Sequence, residues 1–217
     1  MDDRARHWDD TYTQRGTEGV SWFQAVPAPS LHMIDVLGIS RGARVIDLGG
    51  GASSLVDHLL ARGFTDVTVL DISAVALAAA RARVGEHAAV SWLREDVLTW
   101  RPQRQFDLWH DRAVFHFLVD PVGQRRYLAT LRAALAPAGA VIIATFAPDG
   151  PDHCSGLPVA RYSADDLTAL LGDAFAVIGT SRQEHTTPAG APQPFTWLAA
   201  RRRPAGAGHL RHGGRLR

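Results

Sequence analysis

The sequence predicts an α/β fold with a doubly wound, mostly parallel sheet, and three observations carry that prediction. Apolar runs of strand length alternate with helix-like stretches between residues 44 and 171. The first run, Val45-Ile46-Asp47-Leu48, breaks into Gly49-Gly50-Gly51 and passes at once into a helical pattern, Leu55-Val56-Asp57-His58-Leu59-Leu60. Two final apolar runs flank the turn-rich Thr187-Pro188-Ala189-Gly190-Ala191-Pro192, which predicts one antiparallel strand at the sheet edge.

Taken in order, residues 1–40 read as a helical, lid-like region. Trp8, Tyr12, Trp22 and Phe23 make it aromatic, and Pro27 and Pro29 break it. A helix follows over about 30–38, with Ser30 as its N-cap. Strand 44–48 leads into a helix near 53–62, and strand 67–71 into an Ala-rich helix near 74–84. A short strand near 89–93 precedes Asp96. Strand 106–109 precedes a helix that begins after Pro121 and runs to about 135. Strand 140–146 ends in a Pro/Gly loop, 147–158, and a helix near 163–171 is capped by Ser163. Strands 175–182 and 194–201 close the pattern. Residues 1–202 are expected to form one domain. Residues 203–217, mostly Pro, Gly, Ala, Arg and His with little to bury, are expected to be a disordered basic tail.

A chain of 217 residues has room for a real core, and 46% hydrophobic with 21% charged residues is ordinary for a soluble globular protein. The net charge of +1 gives no global field to favour nucleic acid or a membrane surface. No apolar run approaches the ~20 residues of a membrane span. The start, Met1-Asp2-Asp3-Arg4, is too polar for a signal peptide, and a single cysteine, Cys154, rules out an internal disulfide framework. A cytoplasmic protein is expected.

The glycine turn indicates a ligand at a helix N-terminus, because glycine lets backbone approach closely where a Cβ would block it. The dinucleotide fingerprint fails, since the sixth position from Gly49 is Ser54. A P-loop is absent, as the chain has no Lys at all. What remains is D-x-G-x-G, in which Asp47 would repel a polyphosphate. Asp71 ends the next apolar run, 20 residues beyond Gly51, where ribose hydroxyls would find an acceptor; it is otherwise a helix N-cap. Asp47 is either a strand-end turn residue or a group that orients the glycine loop.

These residues resemble motif I of class I S-adenosylmethionine-dependent methyltransferases, typically V-L-D-x-G-C-G-x-G, with Ile46, Gly50 and Ser53 as departures. The resemblance covers roughly residues 5–202 and implies a seven-stranded Rossmann-like methyltransferase sheet. It implies S-adenosylmethionine as cofactor. Its site would draw on Tyr12, Trp22, Asp47, Gly49, Gly50, Gly51, Ser53, Asp71, Ile72, Asp96, Val97 and His110. In that family Asp96-Val97 would meet the adenine, and Asp47 would accept from the ammonium.

The second strong feature is Phe106-Asp107-Leu108-Trp109-His110-Asp111-Arg112-Ala113, at the sheet edge where doubly wound folds bind ligands. A His-Asp-Arg triplet leaving an apolar strand is costly to bury unpaired. Trp-x-Asp-Arg-Ala, with Trp8-Asp9-x-x-Tyr12 and Ser21-Trp22-Phe23, is similar to thiopurine methyltransferase-like and elongation-factor lysine methyltransferase-like families, although Ala113 replaces their glycine. His110, His116 and His185 are candidate general bases. His116 is equally a satisfied core histidine. Asp111 would position a cationic amine or orient a histidine; Arg112 would neutralise an acidic substrate or pair with Asp111. A metal site from His153, Cys154 and His185 lacks paired spacing, so none is expected.

The leading expectation is therefore in-line methyl transfer to S, O or N of a small-molecule acceptor. The alternatives are a protein-lysine N-methyltransferase and a non-catalytic S-adenosylmethionine- or metal-binding module. A nicotinamide oxidoreductase is disfavoured by Asp47 and Ser54. No Asn/Asp-Pro-Pro-Tyr/Phe or Pro-Cys follows the fourth strand, which argues against DNA-base chemistry, and no basic aromatic patch marks RNA binding.

Overall fold

The computed structural model describes residues 3–204. Helices α1 (Asp3–Arg15) and α2 (Ala28–Val36) come first. The alternation then runs β1 (Val45–Leu48), α3 (Leu55–Ala61), β2 (Val67–Asp71), α4 (Ala74–Val84), β3 (Val90–Arg94), β4 (Phe106–Arg112), α5 (Pro121–Ala134) and β5 (Leu135–Phe146). A small clip of β6 (His153–Cys154) and β7 (Leu157–Pro158) precedes α6 (Ala164–Leu171), and the long strands β8 (Phe175–Thr186) and β9 (Pro192–Arg202) follow. Seven strands share one sheet in the order β3-β2-β1-β4-β5-β9-β8. Every pairing from β3 to β5 is parallel. Antiparallel pairing is confined to the far edge, where β9 runs between β5 and the outermost β8. This is the doubly wound, mostly parallel sheet that the alternation predicts, with the seven strands that the family resemblance implies.

Helices cover both faces, so the central strands are buried throughout: all four residues of β1 and all five of β2. Alternate side chains serve opposite cores. Val45 packs with Leu31, Leu55, Leu59 and Trp197, whereas Ile46 packs with Trp109, Tyr127, Leu131 and Leu167. Helix starts follow local chemistry. The Ser73 side chain accepts from the Ala76 N–H to open α4, Asp120 accepts from the Gly123 N–H ahead of α5, and Ser163 with Asp166 forms a reciprocal capping box on α6.

Several boundaries differ from expectation for identifiable reasons. Helix α2 begins at Ala28 behind Pro27, so Ser30 is not its cap; Ser30 is buried within it and its hydroxyl turns toward β4. Ser54, not Ser53, stands at the cap position of α3, while the Ser53 hydroxyl accepts from the Leu55 N–H. Strand β4 runs on through His110, Asp111 and Arg112, which read as loop residues because they are polar. Each finds a partner inside the fold, as described below. The expected strand 140–146 starts at Leu135, and β8 extends to Thr186. The expected basic tail falls, from residue 205 onward, outside the described residues. Among those residues no helix is long and apolar enough to cross a membrane.

Candidate active site

Strand order reverses between β1 and β4, and a crevice opens there at the carboxyl ends of the strands. The glycine turn forms its floor. Gly49 adopts φ +60°, a left-handed conformation that other residues enter only with strain, and a Cβ there would lie 2.3 Å from the Val114 Cγ2. A Cβ on Gly51 would lie 2.6 Å from the Asp71 Oδ2. That space lets the Gly51 N–H donate to the Asp71 Oδ2 at 3.0 Å, while the Ser73 N–H donates to Oδ1 at 2.8 Å. Asp71 is thus clamped by two backbone donors. Burial nevertheless dominates and pushes its carboxyl up to about 6, against the lowering effect of those bonds.

Asp47 and His110 sit side by side on β1 and β4. The His110 Nδ1 lies 2.7 Å from the Asp47 Oδ1, and its Nε2 lies 3.0 Å from the Ser30 Oγ. Both ring nitrogens are therefore engaged. The Asp47 Oδ2 is buried and has no partner among the described residues.

A cavity of about 340 Å³ rises from this floor. Asp71, Ile72 and Val97 line one side, Phe146 and Phe195 the other, and the N-terminal region roofs it with Tyr12 and Trp22. The roof is anchored. Asp9 of α1 accepts from the Ser73 Oγ at 2.7 Å and the Val75 N–H at 3.1 Å. The Trp22 Nε1 donates to the Tyr12 hydroxyl at 3.3 Å, and Trp8 meets Phe117 edge-on with ring centres 5.0 Å apart. Arg4 pairs with Asp96, whose other carboxylate oxygen accepts from the Leu98 N–H at 2.9 Å. A smaller recess of about 40 Å³ adjoins the turn, with Asp47, Gly50, Ser53, His110 and Arg112 in its wall.

The end of β4 forms the other side of the site. Asp111 does not line the cavity. It is fully buried and accepts from the Tyr127 hydroxyl at 2.6 Å, the Val114 N–H at 2.8 Å and the Phe115 N–H at 3.1 Å. The expectation that it positions an amine or orients a histidine is corrected accordingly: its oxygens hold the turn after β4. That turn contains Ala113 at φ +72°, which accounts for the glycine found here in the similar motifs. Ala113→Gly should remove left-handed strain and stabilise the protein by about 1 kcal/mol, read as a shift in the urea midpoint without a change in slope.

Arg112 does not pair with Asp111 either. Its Nη1 donates to the Trp22 carbonyl at 2.8 Å, its guanidinium stands 5.1 Å from the Phe195 ring centre, and its Nε and Nη2 are buried without a partner. Burial brings its pKa down to about 10, so it stays charged at neutral pH. His116 also lines the cavity with both ring nitrogens buried and unpartnered, and burial with the Arg112 charge pushes its pKa down to about 3. It is not the satisfied core histidine of the alternative reading. A ring held neutral at that value is a poor general base at pH 7. The His185 Nε2 lies 2.7 Å from the Ser21 carbonyl, so that nitrogen carries a proton and donates; His185 ties the roof to β8 and is not part of the cavity wall. Cys154 does line the cavity, with burial raising its thiol to about 11. Among the described residues no cluster of three or more His, Cys, Asp or Glu is placed to hold a metal.

Sequence reasoning missed three contributors. Ser30 and Tyr127 act as partners across 80 and 16 residues of sequence, and no local pattern marks such pairing. Gln193 enters the wall from the start of β9, with its Oε1 buried and unpartnered.

A model of the methyltransferase domain matches residues 45–139, which span the glycine turn, Asp71 and the β4 motif. The chain is a class I, S-adenosylmethionine-dependent methyltransferase. The enzyme is 29% identical over 174 residues to thiocyanate methyltransferase 1 of Arabidopsis thaliana, covering 77% of this chain and 73% of that one. Its fold is similar to that of the N-methyltransferase NodS from Bradyrhizobium japonicum solved with S-adenosylhomocysteine. The TM-score there is 0.67 at 18% identity, over 89% of this chain and 97% of the other. It is likewise similar to a 1,6-didemethyltoxoflavin-N1-methyltransferase from Burkholderia thailandensis, with a TM-score of 0.64 at 23% identity over 92% and 84% of the two chains.

The residues present fit the cofactor. The methyltransferase has an acceptor-only carboxylate facing the cavity at Asp71, an unpartnered carboxylate oxygen at Asp47, and a glycine turn that a Cβ would fill. A pH dependence follows. Asp71 would hold hydroxyls best as a carboxylate, and burial pushes its carboxyl up to about 6. Above about pH 7 cofactor affinity should be flat in this group. Below it protonation competes, and S-adenosylhomocysteine should bind roughly tenfold more weakly at pH 5 than at pH 7. Calorimetric titration across that range checks it.

Proposed function

We propose that this methyltransferase moves the methyl group to a sulfur atom of a small-molecule acceptor. One observation supports that reading above all: the cavity wall holds a buried, charged Arg112 and a His116 whose ring stays neutral, and neither is a base that could deprotonate an acceptor at pH 7. Bound S-adenosylmethionine supplies a methyl group already activated by its sulfonium. The protein then has to bind, orient and exclude water. Hydroxyl acceptors would need a strong base, and an ammonium acceptor would meet the Arg112 charge. Sulfur nucleophiles need neither, because a thiol with a pKa near about 8.5 ionises close to neutral pH. The thiocyanate methyltransferase relative, aligned over 77% of the chain, adds weight to a small sulfur acceptor.

Asp71 would hold the ribose hydroxyls, Asp96 and Val97 the adenine edge, and Ile72 the adenine face. Asp47, steered by His110, would accept from the methionine ammonium beside Gly49, Gly50 and Gly51, with Ser53 closing the smaller recess. Tyr12 and Trp22 would cover the reacting centre. The Trp-x-Asp-Arg-Ala motif is shared in form with lysine methyltransferase-like families, but the Arg112 cation disfavours a lysine substrate.

The test is a panel of thiols, thiocyanate, phenols, amines and lysine peptides incubated with enzyme and S-adenosylmethionine, with methylated products read by mass spectrometry. Sulfur acceptors should dominate. Preferential methylation of lysine peptides, or tight cofactor binding with no product from any acceptor, would overturn the reading.

A further inference from the structure

The cavity wall contains an unusual group of unsatisfied polar atoms. Arg112 leaves Nε and Nη2 without partners, and His116 leaves both ring nitrogens. A fully buried polar atom without a partner costs about 1–3 kcal/mol, more when it is charged. Arg112 has one hydrogen bond among the described residues, to the Trp22 carbonyl. Its charge is felt by Asp47 from β1, Cys154 from β6, and His185 from β8, none of them within ion-pair distance of it. Around it the wall is aromatic, with Phe195 under the guanidinium and Phe146 and Phe117 against His116 at 4.8 and 4.5 Å between ring centres. A charge in such surroundings interacts strongly with any opposite charge that enters. Gln193, beside them, can turn its carboxamide to present N–H as well.

We infer that Arg112 and His116 form an anion-binding pair that fixes the charge state of the acceptor: the enzyme accepts compact nucleophiles that arrive already negative. This rests on the small-acceptor reading above and specifies what the acceptor wall selects. Arg112 donates through its two unengaged N–H groups, and neutral His116 donates through one ring N–H. The acceptor's lone pair forms the new bond to the methyl carbon as the bond from that carbon to the sulfonium breaks. The electron pair of the broken bond stays on the sulfur, which becomes a neutral thioether. The anion becomes a neutral methylated product, no proton moves, and opposite charges are neutralised. That neither Arg112 nor His116 takes up a proton at pH 7 then suits the reaction. Neutral product also loses its hold on Arg112, which favours release.

The experiment uses thiocyanate as the probe anion, titrated calorimetrically into the full-length enzyme saturated with S-adenosylhomocysteine. Wild type, Arg112→Met and His116→Phe are compared. Methionine replaces a buried charge by an apolar chain of similar reach, which folded cores tolerate. Wild type should bind thiocyanate saturably. Arg112→Met should bind it about 10- to 150-fold more weakly and His116→Phe about tenfold more weakly, as charge-assisted and neutral hydrogen bonds respectively. Affinity for S-adenosylhomocysteine should stay within about threefold in His116→Phe, and should fall by less than about tenfold in Arg112→Met, whose side chain also walls the smaller recess. Three results would overturn the inference: no thiocyanate binding to the wild-type complex, equal binding by Arg112→Met, or a loss of S-adenosylhomocysteine affinity of about tenfold or more in that variant, which would place Arg112 on the cofactor. The broader small-sulfur reading fails separately, if thiocyanate binds as expected yet no sulfur acceptor in the panel is methylated.

Discussion

Asp71→Ala should weaken S-adenosylhomocysteine binding by about 10- to 150-fold, equivalent to losing roughly 1.5–3 kcal/mol of charge-assisted hydrogen bonding. Asp71 is the acceptor-only group at the end of β2 whose position is set by two backbone donors, Gly51 and Ser73. Those bonds hold the carboxylate still before the cofactor arrives, so little is spent on ordering it. The alanine variant also strands both N–H groups, so some stability is lost. Asp71→Asn separates the effects, because its amide oxygen can keep one backbone donor while the negative charge is removed. The asparagine variant should fold nearly as well as wild type and still bind at least about tenfold more weakly. Calorimetry with S-adenosylhomocysteine and NAD on all three proteins checks this. Asparagine or alanine binding within threefold of wild type would remove Asp71 from the cofactor site.

Asp111→Ala should destabilise the fold by about 2–4 kcal/mol, measured by urea unfolding. Three buried donors would be left without an acceptor: the Tyr127 hydroxyl and the Val114 and Phe115 N–H groups. Tyr127 in turn accepts from the Trp109 Nε1 at 2.9 Å, so the disturbance reaches the second core. Removing the carboxylate brings some relief, since burial raises its carboxyl to about 6 and so disfavours the ionised form. That relief keeps the expected cost below the sum of three orphaned donors. Function should suffer with stability. The Asp111 clamp holds the turn that carries Val114, and Val114 packs against Gly49 in the floor of the cavity. A change of less than about 1 kcal/mol would mean that the turn after β4 is held by other contacts.

Most of the sheet was legible in the sequence because its signals are local. Alternating apolar runs, the Ser73 and Ser163 caps, and Pro121 at a helix start each act within a few residues. The glycine turn and Asp71 were legible for the same reason. The His110-Asp111-Arg112 triplet was visible as a functional candidate, but its division of labour was not. One residue steers Asp47, one clamps a turn, and one faces the cavity, and their partners Ser30, Tyr127 and Trp22 lie far away in sequence. Pairing of that kind is set by tertiary packing. His185 illustrates the same limit: nothing near Glu184-His185-Thr186 indicates that the ring ends on the Ser21 carbonyl.

The most direct test of this account is a crystal structure of the enzyme with S-adenosylhomocysteine. The account predicts both Asp71 oxygens within hydrogen-bond distance of the ribose hydroxyls, the amino group beside Asp47, and the thioether sulfur facing the Arg112–His116 wall. A complex in which the sulfur points away from that wall, or in which Arg112 binds the cofactor carboxylate, would contradict it.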